Sequence, residues 1–137
     1  MPSGHPGLLA LVGGDEFSPG NEEQDRMLAA GATRGPAYVV ATAAARQSPD
    51  EAVAHARAWF AALGLELLDL PVLKRTDANS RELASLARGG GLFYLVGGDP
   101  GLVAQVLQES RVWRAMLEAW LDGASLAGSS AGAMALC

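Results

Sequence analysis

The chain has 137 residues, of which 50% are hydrophobic and 18% are charged. This length suits one domain and is too short for two packed ones, and the composition excludes an intrinsically disordered chain. The formal net charge of −5 arises within residues 1–25, which hold five acidic residues and no Lys or Arg. We therefore expect a single soluble domain over residues 1–137 with an acidic first segment.

Charge, apolar runs and cysteine content exclude several classes of function. The Lys and Arg residues form no cluster, so nucleic-acid binding is not expected. Residues 1–7 lack a basic residue, and the apolar run that follows is too short for a signal peptide or a membrane span, which predicts a cytoplasmic protein without a membrane partner. The only cysteine is Cys137, which excludes an internal disulfide and a cysteine-based zinc site. We expect no metal and no cofactor.

Short, continuously apolar runs alternate with segments of helical period along the chain. Such runs are typical of parallel strands buried on both faces, which predicts a doubly wound α/β fold with helices on either side of the sheet. The predicted strands lie near Leu8–Val12, Ala37–Thr42, Leu65–Leu70, Leu92–Val96 and Ser125–Ala127. Polar side chains that can accept from a free backbone N–H predict helix starts, at Asn21, Ser48, Asn79 and Asp99. An apolar stripe predicts a further helix near Val112–Leu121.

The sequence Leu-Val-Gly-Gly-Asp occurs twice, at residues 11–15 and 95–99. Each copy ends a predicted strand. Because the carboxyl ends of parallel strands meet at one edge of the sheet, both loops should open on the edge where open α/β folds bind their ligands.

The segment after the last predicted strand has the pattern G-x-S-x-G at residues 128–132, with Ser130 at its centre. A strand before it and a small-residue helix start after it are the context of a nucleophile elbow. In that geometry the N–H of Ala131 can donate to an oxyanion, and the loop of Gly97 and Gly98 can supply a second N–H. The alternatives are a glycine-rich turn with a serine at the helix start, and a loop in which Asp99 only caps the next helix.

The Gly-Gly-Asp loop at 97–99 and the Gly-Ser-Ser-Ala-Gly-Ala segment at 128–133 together resemble the N-terminal part of the peptidase E and cyanophycinase family. The resemblance covers essentially all of the chain. It implies a class I glutamine amidotransferase-like, flavodoxin-like fold with three αβα layers and a mainly parallel sheet. It also implies a serine peptidase with Ser130 as nucleophile, with Ala131 and Gly98 as oxyanion donors, and with small aspartyl peptides as substrates. Pro100 stands where cyanophycinase-like members usually have Gln, which argues against cyanophycin as the substrate.

The resemblance further implies a catalytic His and an acid after the serine, whereas only seven residues follow Ser130. His5 precedes the first predicted strand and His55 falls within a predicted covering helix away from the Ser130 edge, so neither is expected to act as the general base. We therefore expect the chain to lack the C-terminal part with the catalytic His and acid. Loss of a triad His removes on the order of 10⁶ in rate, so the chain alone should be almost inactive.

Three cations follow predicted strands at the same edge as Ser130. Arg46 follows the second strand, and Lys74 and Arg75 follow the third. An aspartyl substrate requires a cationic partner. We assign substrate binding to Arg46, Gly97 and Asp99.

A second hypothesis is a flavodoxin-like module that binds a ligand or a partner without chemistry. Asp15 and Glu16 follow the first strand as the acidic residues of metal-binding receiver domains do, but Ser129 and Ser130 replace the Lys expected after the fifth strand. A dinucleotide site is not expected, because residues 13–16 depart from G-x-G-x-x-G and two acids would repel a pyrophosphate. The sequence does not identify the exact peptide substrate. It also leaves the oligomeric state open, and a homo-oligomer is one possibility.

Overall fold

A computed structural model of the chain describes residues 6–12 and 20–129. These residues form the strands β1 (Leu9–Val12), β2 (Ala37–Val40), β3 (Leu67–Asp69), β4 (Leu92–Leu95) and β5 (Ser125–Ser129). They also form the helices α1 (Glu22–Gly31), α2 (Pro49–Ala62), α3 (Arg75–Ala78), α4 (Arg81–Arg88), α5 (Pro100–Leu107) and α6 (Arg111–Leu121), and a 3₁₀ turn at Thr42–Ala44.

The strands form one parallel sheet in the order β1-β5-β4-β2-β3. Strand β4 lies at its centre, where Tyr94 pairs with Val39 of β2 and with Ala127 of β5. Helices α1 and α2 cover one face of the sheet, and α3 to α6 cover the other. The prediction of an α/β fold with a parallel sheet between two helical layers is confirmed.

Both faces of β4 are buried, which explains why this strand is apolar at every position. Tyr94 faces α2, where it meets Phe60 edge to face with ring centroids 5.5 Å apart. Phe93 faces the opposite layer and stacks on Tyr38 at 6.1 Å. Each fully buried large apolar side chain contributes about 1.5–3 kcal/mol. Packing from both sides therefore holds the centre of the sheet, and the loop that follows β4, in a fixed position.

Several strand ends differ from the prediction. β2 ends at Val40 rather than Thr42, because the chain turns into the 3₁₀ segment and the buried Thr42 hydroxyl donates to the Val72 carbonyl 2.6 Å away. β3 is also shorter than predicted, whereas β5 is longer and reaches Ser129. A hydrogen bond between distant segments thus ends β2, and no local pattern predicts such a bond.

The predicted helix starts are correct to within one residue, but not all the predicted caps form. Ser80, not Asn79, caps α4 by accepting from a backbone N–H at 3.2 Å. Asn79 instead accepts from the Arg111 N–H at 3.3 Å and so connects α4 to α6. Asn21 and Ser48 precede α1 and α2 as predicted, although neither side chain accepts a capping hydrogen bond.

Candidate functional site

The strand order creates a crevice between the carboxyl ends of β2 and β4. From β2 the chain passes outward to β3, whereas from β4 it passes to β5 on the opposite side. Ligands of open α/β folds bind in the crevice at such a change of direction. The segments that meet here are residues 41–45, after β2, and residues 96–99, after β4, which we name the glycine loop.

The glycine loop packs directly on the 3₁₀ turn after β2. The Asp99 N–H donates to the Ala43 carbonyl at 2.8 Å. Gly98 has a φ of +151°, and a Cβ at this position would overlap the Ala43 carbonyl group and lie 2.9 Å from the Ala44 nitrogen. Only glycine fits here, because the backbone conformation and the available space both exclude a side chain.

Gly98 is exposed at this edge. Within the described residues its N–H donates to no acceptor. An N–H that its loop holds in place, and from which none of the described residues accepts, is suited to stabilise an oxyanion. The role of Gly98 as an oxyanion donor stays a prediction. The backbone geometry of the glycine loop favours this role.

Asp99 fixes the start of α5. Its carboxylate accepts from the Gly101 N–H at 2.9 Å, and Pro100 occupies the first helical position, where a missing N–H has no partner to lose. The predicted cap is therefore confirmed. The contact of Asp99 with a substrate stays a prediction.

Strand β5 brings Gly128 and Ser129, the first two residues of the G-x-S-x-G pattern, to the same edge. Gly128 pairs with Leu95 of β4, so the two strands are level at their carboxyl ends. β5 ends at Ser129, one residue before Ser130 in the sequence. Ser130 and Ala131, predicted as nucleophile and oxyanion donor, lie outside the described residues.

A cavity of about 420 Å³ opens beside Gly97, the first glycine of the glycine loop. The loop before α2 and the first turns of α2 form its other wall, with the polar side chains of Gln47, Ser48, Glu51 and His55. The sequence places His55 on a helix away from this edge, but the helix starts at the edge and His55 lines the cavity. The spacing of four residues between Glu51 and His55, which puts both on one helix face, indicates this arrangement in retrospect.

The three predicted cations differ in role. Arg46 is exposed in the loop that enters α2. Arg75 instead donates to the carbonyl of Val106 at 2.9 Å and to that of Gln108, and so ties α3 to the end of α5. Arg75 is thus a structural residue. Lys74 is exposed, as Arg46 is, and the contact of Arg46 with a substrate stays a prediction.

Asp25 of α1 is a buried carboxyl group that sequence reasoning did not single out. It is 1% exposed, and its Oδ2 accepts from Trp59 Nε1 at 2.7 Å, while its Oδ1 accepts no bond within the described residues. Burial raises the pKa of the Asp25 carboxyl above its usual range, and the Trp59 hydrogen bond opposes this effect. No spacing pattern marks Asp25, because its environment depends on how α1 meets α2.

In the described part of the chain, no three His, Cys, Asp or Glu side chains are grouped to hold a metal ion. No helix there has the length and apolar composition needed to cross a bilayer. Asp15 and Glu16 of the metal-binding hypothesis, and His5, lie outside the described residues.

The solved structures that are similar to this chain include two that match most of its length. A peptidase from an acI-B1 actinobacterium is 38% identical with a TM-score of 0.88, and the match covers 97% of this chain and 58% of that one. A candidate peptidase E protein from Listeria monocytogenes EGD-e is 19% identical with a TM-score of 0.68, and the match covers 93% of this chain and 60% of that one. The second likeness shows the fold alone. The chain thus spans less than two thirds of either structure, and no curated protein matches it.

The family model of peptidase family S51 matches residues 9–137. The match begins at β1 and includes the glycine loop and the whole G-x-S-x-G segment. The resemblance to the peptidase E family is therefore confirmed. The chain belongs to peptidase family S51.

Proposed function

We propose that the protein is a serine peptidase in which Ser130 is the nucleophile, and that it acts on small peptides beside an aspartyl residue. The main support is that the S51 family model runs through Ser130, while β5, the strand before it, ends level with the glycine loop. Membership of a peptidase family supports hydrolysis of a peptide bond. The exposed Gly98 of the glycine loop has a backbone N–H that could donate to the oxyanion of such a reaction.

In the proposed reaction the Ser130 hydroxyl attacks the carbonyl carbon of the scissile bond, and its proton passes to a general base. The carbonyl oxygen becomes an oxyanion that accepts from the N–H groups of Ala131 and Gly98. The base then delivers the proton to the leaving amine, and water hydrolyses the remaining ester. Removal of one oxyanion donor typically costs about 10²–10³ in kcat, so the fixed amide of Gly98 is a substantial part of the proposed catalysis.

The substrate is proposed to lie in the crevice between β2 and β4, against Gly97 and Asp99. Arg46 directly precedes Gln47, which lines the cavity beside Gly97. We propose that the Arg46 guanidinium binds the aspartyl carboxylate, because charge-assisted pairs of this kind are strong and directional.

The general base and its orienting acid are proposed to come from a part of the fold that residues 1–137 do not include. His55 is not expected to serve, because its cavity lies on the β2 side of β4, whereas Ser130 follows β5 on the other side. The match covers 58% of the actinobacterial peptidase. The rest of a chain of that length could carry both the base and the acid.

The proposal is tested with a fusion in which residues 1–137 are followed by the remaining C-terminal part of the actinobacterial peptidase. Turnover of the dipeptide Asp-Leu is compared between this fusion, its Ser130→Ala variant and its Ser129→Ala variant. We expect Ser130→Ala to lower kcat/KM by roughly 10⁴–10⁶ and Ser129→Ala by less than about tenfold. Equal turnover by the parent and Ser130→Ala would contradict the proposal, as would rapid turnover by the 137-residue chain alone.

A further inference from the structure

Strand β3 lies at one edge of the sheet, and no other described strand pairs with its outer side. The backbone groups of successive residues in a strand point to opposite sides. The Leu70 N–H donates to the Val39 carbonyl of β2 at 3.0 Å, so the N–H and C=O groups of Leu67 and Asp69 point away from the sheet. An open edge of this kind is a template for a strand of another molecule.

The side chains around this open strand are exposed on both faces of the sheet. On the face that α2 covers, a hollow of about 700 Å³ lies beside β3, and the exposed alanines Ala54, Ala58 and Ala61 of α2 line it. On the opposite face, Leu68 is 37% exposed. We name this surface, which consists of the outer side of β3, Leu68 and the three alanines, the β3 edge.

We propose that the β3 edges of two copies of the chain pair antiparallel about a two-fold axis at Leu68. Leu67 of one copy then exchanges both backbone hydrogen bonds with Asp69 of the other, and the symmetry repeats this pair. The two Leu68 side chains meet at the axis, with Cα atoms about 4.5 Å apart. The two five-stranded sheets become one continuous sheet. This inference does not depend on the proposed peptidase function.

The position of α2 fits this arrangement. Because the two-fold axis is perpendicular to the sheet, both copies of α2 lie on the same face. Each α2 packs on β2 and β3, so two strand spacings of about 4.8 Å separate the two helix axes by about 10 Å. Helices in contact pack about 8–10 Å apart. The exposed alanines of α2 are small enough to allow that contact.

The charges at the β3 edge are complementary between two copies. Arg57 of α2 is exposed and lines the hollow beside β3, and Asp69 is exposed on the same face. The ion pairs found within the described residues include neither of them. Burial and the charge of Asp50 raise the pKa of the Asp69 carboxyl, and Arg57 opposes this effect. The two-fold axis brings Arg57 of one copy beside Asp69 of the other, so these carboxylates gain a second guanidinium.

Sedimentation velocity of the 137-residue chain tests the inference. We expect a concentration-dependent dimer. Leu68→Lys should raise its dissociation constant at least about tenfold, because like charges would meet at the axis. Leu9→Lys is the matched control and should leave the dimer unchanged, since Leu9 is 51% exposed on β1, the opposite edge of the sheet. A chain that stays monomeric, or a dimer that only Leu9→Lys dissociates, would overturn the inference.

Cross-linking tests the register without a disruptive charge. Leu68→Cys is combined with Cys137→Ser, so that the chain holds one cysteine. A Cα separation of about 4.5 Å lies within the range of a disulfide. We expect mild oxidation to join most of this variant into covalent dimers, and little of a Leu9→Cys variant in the same background. Equal yields from the two variants would contradict the register at Leu68.

A mixture of two charge variants tests the contact across the axis. Arg57→Glu and Asp69→Arg should each weaken self-association by about tenfold, because each creates like charges in both symmetric pairs. An equimolar mixture of the two variants should form dimers with nearly the affinity of the parent chain, since every carboxylate again faces a guanidinium. A mixture that associates no better than the separate variants would overturn this contact and the inference.

The fusion with the actinobacterial C-terminal part gives the last comparison. The glycine loop follows β4, which lies two strands from β3, so pairing at the β3 edge leaves the candidate site open. We expect the fusion to dimerise as the 137-residue chain does, whether or not Ser130 is reactive. A fusion that stays monomeric would assign the β3 edge to the C-terminal part of a longer chain and overturn the inference.

Discussion

Gly98 lies where the backbone of the glycine loop meets the 3₁₀ turn after β2. Its φ of +151° and the nearby carbonyl of Ala43 leave no room for a side chain. The same geometry holds its N–H at the edge of the sheet before any substrate arrives. Preorganised donors of this kind stabilise an oxyanion most effectively, because no reorganisation occurs during the reaction. A residue that the fold requires is thus also the residue that the proposed chemistry requires.

Replacement of Gly98 by alanine tests this constraint. The added Cβ would displace the glycine loop from Ala43, and we expect a loss of about 1–3 kcal/mol in the free energy of unfolding, measured by urea denaturation. Gly101→Ala is the matched control, because its Cβ would only come within 3.4 Å of the Asp99 carboxylate and the residue lies in a helix, where alanine is preferred. An equal loss in both variants would contradict the account of Gly98.

Asp25 predicts a dependence of stability on pH. Burial raises the pKa of its carboxyl in the folded chain above the unfolded value. The folded state therefore binds this proton more tightly, and the contribution of Asp25 to stability is full below the unfolded pKa and is lost as pH rises through the folded pKa. Asp25→Asn keeps an oxygen that can accept from Trp59 but removes the charge.

We accordingly expect Asp25→Asn to raise the Tm relative to the natural chain at pH 7.5, with a gain that shrinks as the pH is lowered toward 4. Thermal unfolding followed by circular dichroism across this range measures the difference. Glu23→Gln, at an exposed position of the same helix turn, should show no such gain. A Tm gain of Asp25→Asn that grows toward low pH would show that folding lowers, and does not raise, the pKa of Asp25.

Helix α5 is fixed at both ends by side chains outside the helix. Asp99 caps its start, and Arg75 of α3 donates to the carbonyls of Val106 and Gln108 at its end. A cation at the C-terminus of a helix also interacts favourably with the helix dipole. These contacts hold α5 in place relative to the glycine loop.

Arg75→Met should therefore destabilise the protein by about 1 kcal/mol, since two carbonyls lose a charged donor at an exposed position. Lys74→Met is the control, because the Lys74 backbone N–H, which the substitution keeps, donates to the Asp77 carboxylate at 3.2 Å. The two denaturation midpoints in urea give the comparison. A larger loss in Lys74→Met than in Arg75→Met would refute the structural role of Arg75.

The elements themselves were largely predictable, because both faces of β2 and β4 are buried and continuous apolar runs result. The residues at which these strands and helices end were harder to predict. Thr42 reads as the end of a strand, but its hydroxyl bonds to Val72 some thirty residues away in sequence. Asn79 and Ser80 are both good caps, and only the position of α6 decides that Asn79 bonds to Arg111. Local pattern fixes the kind of element, and tertiary contacts fix where it stops.

At the scale of the whole molecule, the sheet order explains why residues far apart in sequence meet at one edge. The order β5-β4-β2 places the glycine loop between the end of β5 and the start of α2. The repeated Leu-Val-Gly-Gly-Asp motif and the strand before Ser130 predict the glycine-loop part of this site. The cavity with Glu51 and His55 could not be predicted, because it depends on how α2 packs over the sheet edge.

The central claim, that Ser130 is an activated nucleophile, is tested most directly by covalent labelling. A fluorophosphonate probe reacts with an activated serine hydroxyl, and peptide mapping by mass spectrometry identifies the modified residue. In the fusion with the actinobacterial C-terminal part, we expect one adduct on Ser130, its loss in Ser130→Ala and its retention in Ser129→Ala. A correctly folded fusion that carries the adduct on Ser129 or another residue, or no adduct at all, would contradict the account.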